Sequence, residues 1–138
     1  MKKIISLLVV LSLVVGVLLV PVSAVEPRWS NTRLLIIQHG YFNGSAECVV
    51  EIEGYSGSTI SNVDITLAKW NGDRFVLVAS IVNAYSDNRY FEFFWIVPNI
   101  EPYYTYRLSF TAEVHRNGTV EPISAYKDVY YSPYNSSD

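Results

Sequence analysis

The side chains that could do chemistry in this chain are few: two histidines, one cysteine and a stripe of glutamates. His39 and His115 are far apart in sequence, and neither has a neighbour at metal-ligand spacing. His115 falls beside Glu113 by strand alternation, which reads as a solvated pair at a strand end rather than a general base. Cys48 alternates with Ala46, Val50 and Ile52, so it reads as a buried structural thiol and not as a nucleophile or a dimer bridge. Glu47, Glu51 and Glu53 share the opposite face, with Asp64 considered as a neighbour from the next strand. A calcium site there would need loop ligands around a Gly turn, so the stripe reads as a solvated sheet face. The chain has no Gly-x-Ser-x-Gly, no P-loop and no His-Glu-x-x-His. Triad members can lie anywhere in a sequence, but one Cys and two His leave few nucleophilic options. The expectation is a protein that is not an enzyme and has no cofactor and no metal.

The other unusual feature is aromatic. Tyrosines concentrate late in the chain, at Tyr103, Tyr104, Tyr106, Tyr126, Tyr130, Tyr131 and Tyr134. Tyr90 to Trp95 places Phe91, Phe93 and Trp95 on one face and Tyr90 and Phe94 on the other. One face must pack in the core; the other is covered by neighbours or exposed as a contact patch. Such rings are good strand formers in their own right, and they also offer flat, half-polar surfaces to protein partners or sugar rings. The candidate binding surface is Phe91, Phe93, Trp95, Tyr130 and Tyr131.

Period-2 alternation sets the elements that position these groups. Leu34–Gln38, Ala46–Gly54, Asn62–Trp70, Phe75–Val82, Tyr90–Val97, Tyr104–His115 and Val120–Tyr131 read as strands. Asn71-Gly72 and Asn117-Gly118 read as hairpin turns, because Asn-Gly accepts positive φ. Asn43-Gly44-Ser45 and Asn83–Asn88 read as loops. From Tyr104 to His115 one face is wholly apolar (Tyr104, Tyr106, Leu108, Phe110, Ala112, Val114), so that strand must cover a core. No segment after the leader carries a capped 3.6-residue period. The expected fold is all-β, an antiparallel two-sheet sandwich of about seven strands, immunoglobulin- or fibronectin III-like.

Before the strands, Lys2-Lys3 precede an apolar run, Ile4 to Val20, that ends in Pro21-Val22-Ser23-Ala24. This is the layout of a helical secretory signal peptide cut after Ala24. At about 17 residues the run is also near the lower limit for a membrane anchor. The small-residue exit and the lack of a basic stop-transfer cluster point to cleavage, with no stable membrane span afterwards. The expected division is signal peptide 1–24, linker 25–32, sandwich 33–131 and a frayed, disordered tail 132–138. The leader takes two of the ten Lys and Arg and none of the thirteen Asp and Glu. Eight bases against thirteen acids remain, a formal charge of −5. The remaining bases are scattered singly, so neither nucleic acid nor an anionic membrane surface is an expected partner. The single Cys allows no internal disulfide, which suits a bacterial exported protein. In a eukaryotic secretory pathway Asn43, Asn117 and Asn135 would be glycosylation acceptors.

Ile100-Glu101-Pro102-Tyr103-Tyr104-Thr105-Tyr106-Arg107-Leu108-Ser109-Phe110-Thr111-Ala112 resembles the sixth-strand region of fibronectin type III domains. The resemblance implies that Tyr106 is a tyrosine-corner residue, its ring in the core and its hydroxyl bonded to nearby backbone. The family's second-strand Trp has no counterpart here, where Cys48, Val50 and Ile52 hold the inner face. The leader, Cys48–Ile52, Leu67–Gly72, Tyr106-Arg107-Leu108 and Arg116–Glu121 are together similar to a group of small exported proteins of unknown function from Gram-positive bacteria. That similarity implies a fold and a secreted or cell-surface location, and no activity. The reading from sequence is therefore an exported, non-catalytic binding module whose partner is a cell-surface protein or a glycan. The alternative is a small secreted hydrolase or inhibitor-like domain with a loop-built site. A pocket gathering His39 or His115 with carboxylates would favour the hydrolase, and a flat aromatic patch would favour the binder.

Overall fold

Seven stretches of alternating polarity become seven strands in the computed structural model, which describes residues 29–133. They are β1 (Thr32–Phe42), β2 (Ser45–Gly54), β3 (Thr59–Trp70), β4 (Phe75–Ser86), β5 (Tyr90–Val97), β6 (Thr105–Arg116) and β7 (Thr119–Tyr130). β1-β2-β5 form one sheet and β4-β3-β6-β7 the other, with every pairing antiparallel. The expected all-β two-sheet sandwich is what the chain adopts. No α-helix occurs among the described residues, so none there is long and apolar enough to cross a membrane. The leader, its cut after Ala24, residues 25–28 of the linker and the tail from Tyr134 lie outside the described residues.

The core lies where the inward faces of the sheets meet. β2 contributes Ala46, Cys48, Val50 and Ile52, and β6 contributes Tyr106, Leu108, Phe110, Ala112 and Val114. Each large apolar side chain buried this way stabilises the fold by about 1.5–3 kcal/mol. β3 contributes Ile60, Val63, Ile65 and Leu67. The three-residue step from Ile60 to Val63 is a β-bulge at Asn62, whose φ of 50° brings Val63 back to the inner face. Tyr104, grouped by alternation with the apolar face of β6, precedes the strand and is exposed. Among the described residues Cys48 is the one free cysteine; it is buried, and burial pushes its thiol pKa up to about 11. It should resist a thiol reagent in the folded protein and react once denaturant unfolds the chain. Rapid labelling of the native state would contradict this packing.

Turn chemistry explains most boundaries and corrects two expectations. Asn43-Gly44 and Asn117-Gly118 both take positive φ (49° and 77°, 51° and 77°). They close two-residue hairpins between the pairs Phe42–Ser45 and Arg116–Thr119. At Asn71-Gly72 only the glycine has positive φ. There the loop spans the four residues between Trp70 and Phe75, and the Asn71 side chain accepts from the backbone N–H of Asp73 and Arg74 at 2.9 Å each. The stretch Asn83–Asn88, expected as a loop, instead carries β4 on to Ser86. Asn83 is its bulge residue, with φ 59° and its N–H donated to Asp64 Oδ1 at 2.9 Å. The first strand is also longer than its apolar run and continues through His39 and Tyr41 to Phe42.

One side of the sandwich, where edge strands β1 and β7 meet, is closed by polar contacts. His39 bonds the Lys127 carbonyl through Nε2 at 2.8 Å and meets the Tyr41 hydroxyl through Nδ1 at 2.6 Å. A carbonyl only accepts, so Nε2 carries the proton and Nδ1 accepts from Tyr41. Burial lowers the His39 pKa, in keeping with this neutral ring. The Tyr41 ring packs between those of Tyr106 and Tyr131, at 5.0 and 5.2 Å. Further along, the Glu121 carboxylate accepts from the backbone N–H of Ser30, Asn31 and Thr32 and from the Ser30 and Thr32 hydroxyls, at 2.6–3.2 Å. The last linker residues are thus fastened to β7. Asn31 and Thr32 are buried.

Candidate functional site

The candidate aromatic surface is divided by the fold. Phe91, Phe93 and Trp95 form a ladder on the inward face of β5, with ring centroids 6.4 Å apart at each step. Phe91 is 7% exposed and belongs to the core, while Phe93 and Trp95 are half-buried against it. Tyr131 is 5% exposed, and its hydroxyl accepts the Gly44 N–H at 2.9 Å. Tyr130 is exposed on the other sheet. These residues therefore do not make one exposed patch. On β5 the rings that face solvent are Phe94 and Tyr90. Tyr106 has its ring in the core, and its hydroxyl donates to the Glu101 carbonyl at 2.6 Å, five residues upstream.

A different aromatic surface lies on the outer face of the four-stranded sheet. The Asn117-Gly118 hairpin sets Arg107 opposite Asp128, Ser109 opposite Tyr126 and Thr105 opposite Tyr130. β3 then brings Ala68 beside Arg107, and Trp70 pairs with Phe75 on β4. As a result the Arg107 guanidinium lies between two rings, 4.1 Å from the centroid of Phe75 and 4.1 Å from that of Tyr126. Trp70 leans on Phe75 at 5.0 Å. Asp128 holds the guanidinium in a two-pronged bond, Nε to Oδ1 at 2.8 Å and Nη2 to Oδ2 at 2.9 Å. The pair holds itself ionised: the hydrogen bond from Arg107 lowers the Asp128 pKa, and the bond to Asp128 raises that of Arg107. Trp70, Leu77, Tyr126 and Tyr130 all reach solvent around this stack. Phe75, Trp70 and Tyr126 are fixed by contacts already made, so a partner would immobilise little in docking on them.

The histidines make no relay. Both ring nitrogens of His39 are bonded within the protein, although the ring lines a shallow depression of about 340 Å³ with Glu47, Phe94 and Lys127. His115 is flanked by Ser61 and Glu113, the residue types of a hydrolytic triad. Ser61 Oγ lies 2.7 Å from Nε2, and Glu113 Oε2 lies 3.5 Å from that same nitrogen. A triad needs hydroxyl and carboxylate on opposite nitrogens, so that the ring can pass a proton between them. This arrangement lacks that geometry. Glu113 is held instead by Asn62 Nδ2 at 2.9 Å. On the outer face of the other sheet Glu51 and Glu92 are direct cross-strand partners. No group of His, Cys, Asp and Glu among the described residues could hold a metal ion.

Comparison with known proteins adds little to this geometry. No protein-family model matches the chain, and no curated protein matches it. Among solved structures, the sporulation control protein Spo0M from Bacillus subtilis aligns with a TM-score of 0.47 at 10% sequence identity. The alignment covers 74% of this chain and 49% of Spo0M, so the chain spans about half the length of that protein.

Proposed function

We propose that the chain is an exported, non-catalytic β-sandwich module that binds a cell-surface protein or glycan through the outer face of its four-stranded sheet. The observation that carries this reading is Arg107, held between Phe75 and Tyr126 and anchored by Asp128 beside exposed Trp70, Leu77 and Tyr130. Tyr, Trp and Arg dominate binding energy at protein interfaces, where rigid rings lose little conformational entropy. The Met1–Ala24 leader supports export. The bond from Tyr106 to Glu101 is the kind a tyrosine corner makes, which supports the fibronectin III-like reading of Ile100–Ala112. The likeness to small exported Gram-positive proteins points to the same location. The engaged nitrogens of His39 and the one-sided contacts of His115 favour a binder over a hydrolase.

The test is a glycan array together with capture from cell-surface extracts, comparing the wild-type protein with a Trp70→Ala, Tyr126→Ala double variant. The expected result is a defined set of glycans or one surface protein retained by the wild type and lost by the variant, with the variant still folded. Retention unchanged by the double substitution would remove this face from the account.

A further inference from the structure

The four sheet edges are not equivalent. β1 and β7 are fastened to each other through His39, Lys127, Tyr41 and Tyr131, and β7 carries Pro122 and several charges. β4 is bulged near Val78 and again near Asn83, which roughens its edge. β5 has neither protection. It pairs with β2 in unbroken register from Tyr90 to Val97, and among the described residues no backbone hydrogen bond runs from Phe91–Val97 to any element but β2. Its only charge is Glu92, and it contains no Pro and no Lys. Along its inner side the half-buried rings of Phe93 and Trp95 remain partly uncovered.

An open, regular edge of this kind fits one class of occupant, an extended segment that continues the ladder. Side-chain chemistry narrows the class. Glu92 stands directly opposite Glu51, a like-charge cross-strand pair whose side-chain donor is the Tyr90 hydroxyl, 3.3 Å from Glu92 Oε2. Among the described residues no Lys or Arg pairs with either carboxylate. A strand added at β5 would set its outward side chains beside Glu92 and its inward ones beside Phe93 and Trp95. We propose that β5 accepts an extended peptide segment from a partner, with Lys or Arg facing Glu92 and apolar residues between them, as a fourth strand of the β1-β2-β5 sheet. This site is separate from the outer face of the other sheet, and either can fail without the other.

The probe is a blocked peptide of alternating lysine and valine, matched to β5 in length, titrated into the purified protein. Amide exchange and chemical shifts of Phe91–Val97 report where it binds. Binding should slow exchange of the outward-pointing β5 amides, weaken with added salt, and fall by roughly tenfold or more in Glu92→Lys. That substitution also removes the repulsion from Glu51, so the variant should unfold at an equal or higher temperature than the wild type while binding worse. A glutamate–valine peptide of the same length should not bind. The proposal is overturned if the lysine–valine peptide does not bind, or if its shifts map away from β5. It is equally overturned if the peptide-free protein dimerises through β5, since the occupant is then a second copy.

Discussion

Replacing Tyr106 by Ala is expected to cost about 3–5 kcal/mol of folding free energy, the range for removing a large buried ring. The ring is 1% exposed and touches Tyr41 at 5.0 Å, so its loss leaves a cavity beside the β1–β7 closure. Tyr106→Phe keeps the ring and removes only the bond to Glu101, leaving that carbonyl without its 2.6 Å donor. Its cost should be smaller, about 0.5–1.5 kcal/mol. Urea unfolding of the two variants separates packing from the hydrogen bond, provided the m-values match the wild type. Equal losses for Phe and Ala would mean that the hydroxyl alone matters. No loss for Phe would remove the bond from the account of the loop before β6.

The second large effect is expected at Glu121. Its carboxylate is the common acceptor for Ser30, Asn31 and Thr32, and no other described side chain takes those donors. Glu121→Gln should destabilise the fold by about 1.5–3 kcal/mol, the range for hydrogen bonds to a charged group. A partner able only to accept is replaced by one that must also donate. Burial alone raises the Glu121 pKa, but the bonds from Ser30, Thr32 and Asn31 outweigh it and the net shift is downward. A carboxylate with a depressed folded pKa binds fewer protons when folded than when unfolded. Its stabilisation is therefore complete above the unfolded carboxylate pKa and is lost as pH falls through the folded one. Glu121→Gln should flatten this acid limb and speed amide exchange at Asn31 and Thr32. An unchanged acid limb would show that the clamp contributes nothing to stability.

Much of the sandwich was legible because alternation reports burial directly. β2 and β6 place on the inner face the residues their period assigns there, Tyr104 excepted. The irregularities were not legible. The bulges at Asn62 and Asn83 rest on positive φ values that no apolar pattern encodes, so β4 runs past the point where its hydrophobic run ends. Asn71-Gly72 carries the hairpin dipeptide, yet the side-chain bonds of Asn71 select a longer loop.

The site was half legible. Once Asn117-Gly118 is taken as a two-residue hairpin, counting outward puts Arg107 opposite Asp128 and Thr105 opposite Tyr130. The arrival of Phe75 and Trp70 depends on the β3–β6 register, for which no local signal exists. The candidate surface of Phe91, Phe93, Trp95, Tyr130 and Tyr131 follows from aromatic content and alternation. Alternation separates Phe91, Phe93 and Trp95 from Tyr90 and Phe94, but with large rings on both faces it does not say which face is inward. The clamp on Glu121 joins segments about ninety residues apart and leaves no mark in either one.

Whether the outer face of the four-stranded sheet is the binding surface can be read from chemical-shift mapping. The protein is titrated with a glycan or surface protein retained in the capture experiment. The largest changes are expected at the Trp70 indole, the Arg107 guanidinium and the Tyr126 and Tyr130 rings, with Phe91 and Tyr131 unmoved in the core. Perturbations centred on any other surface, with these groups silent, would contradict that reading.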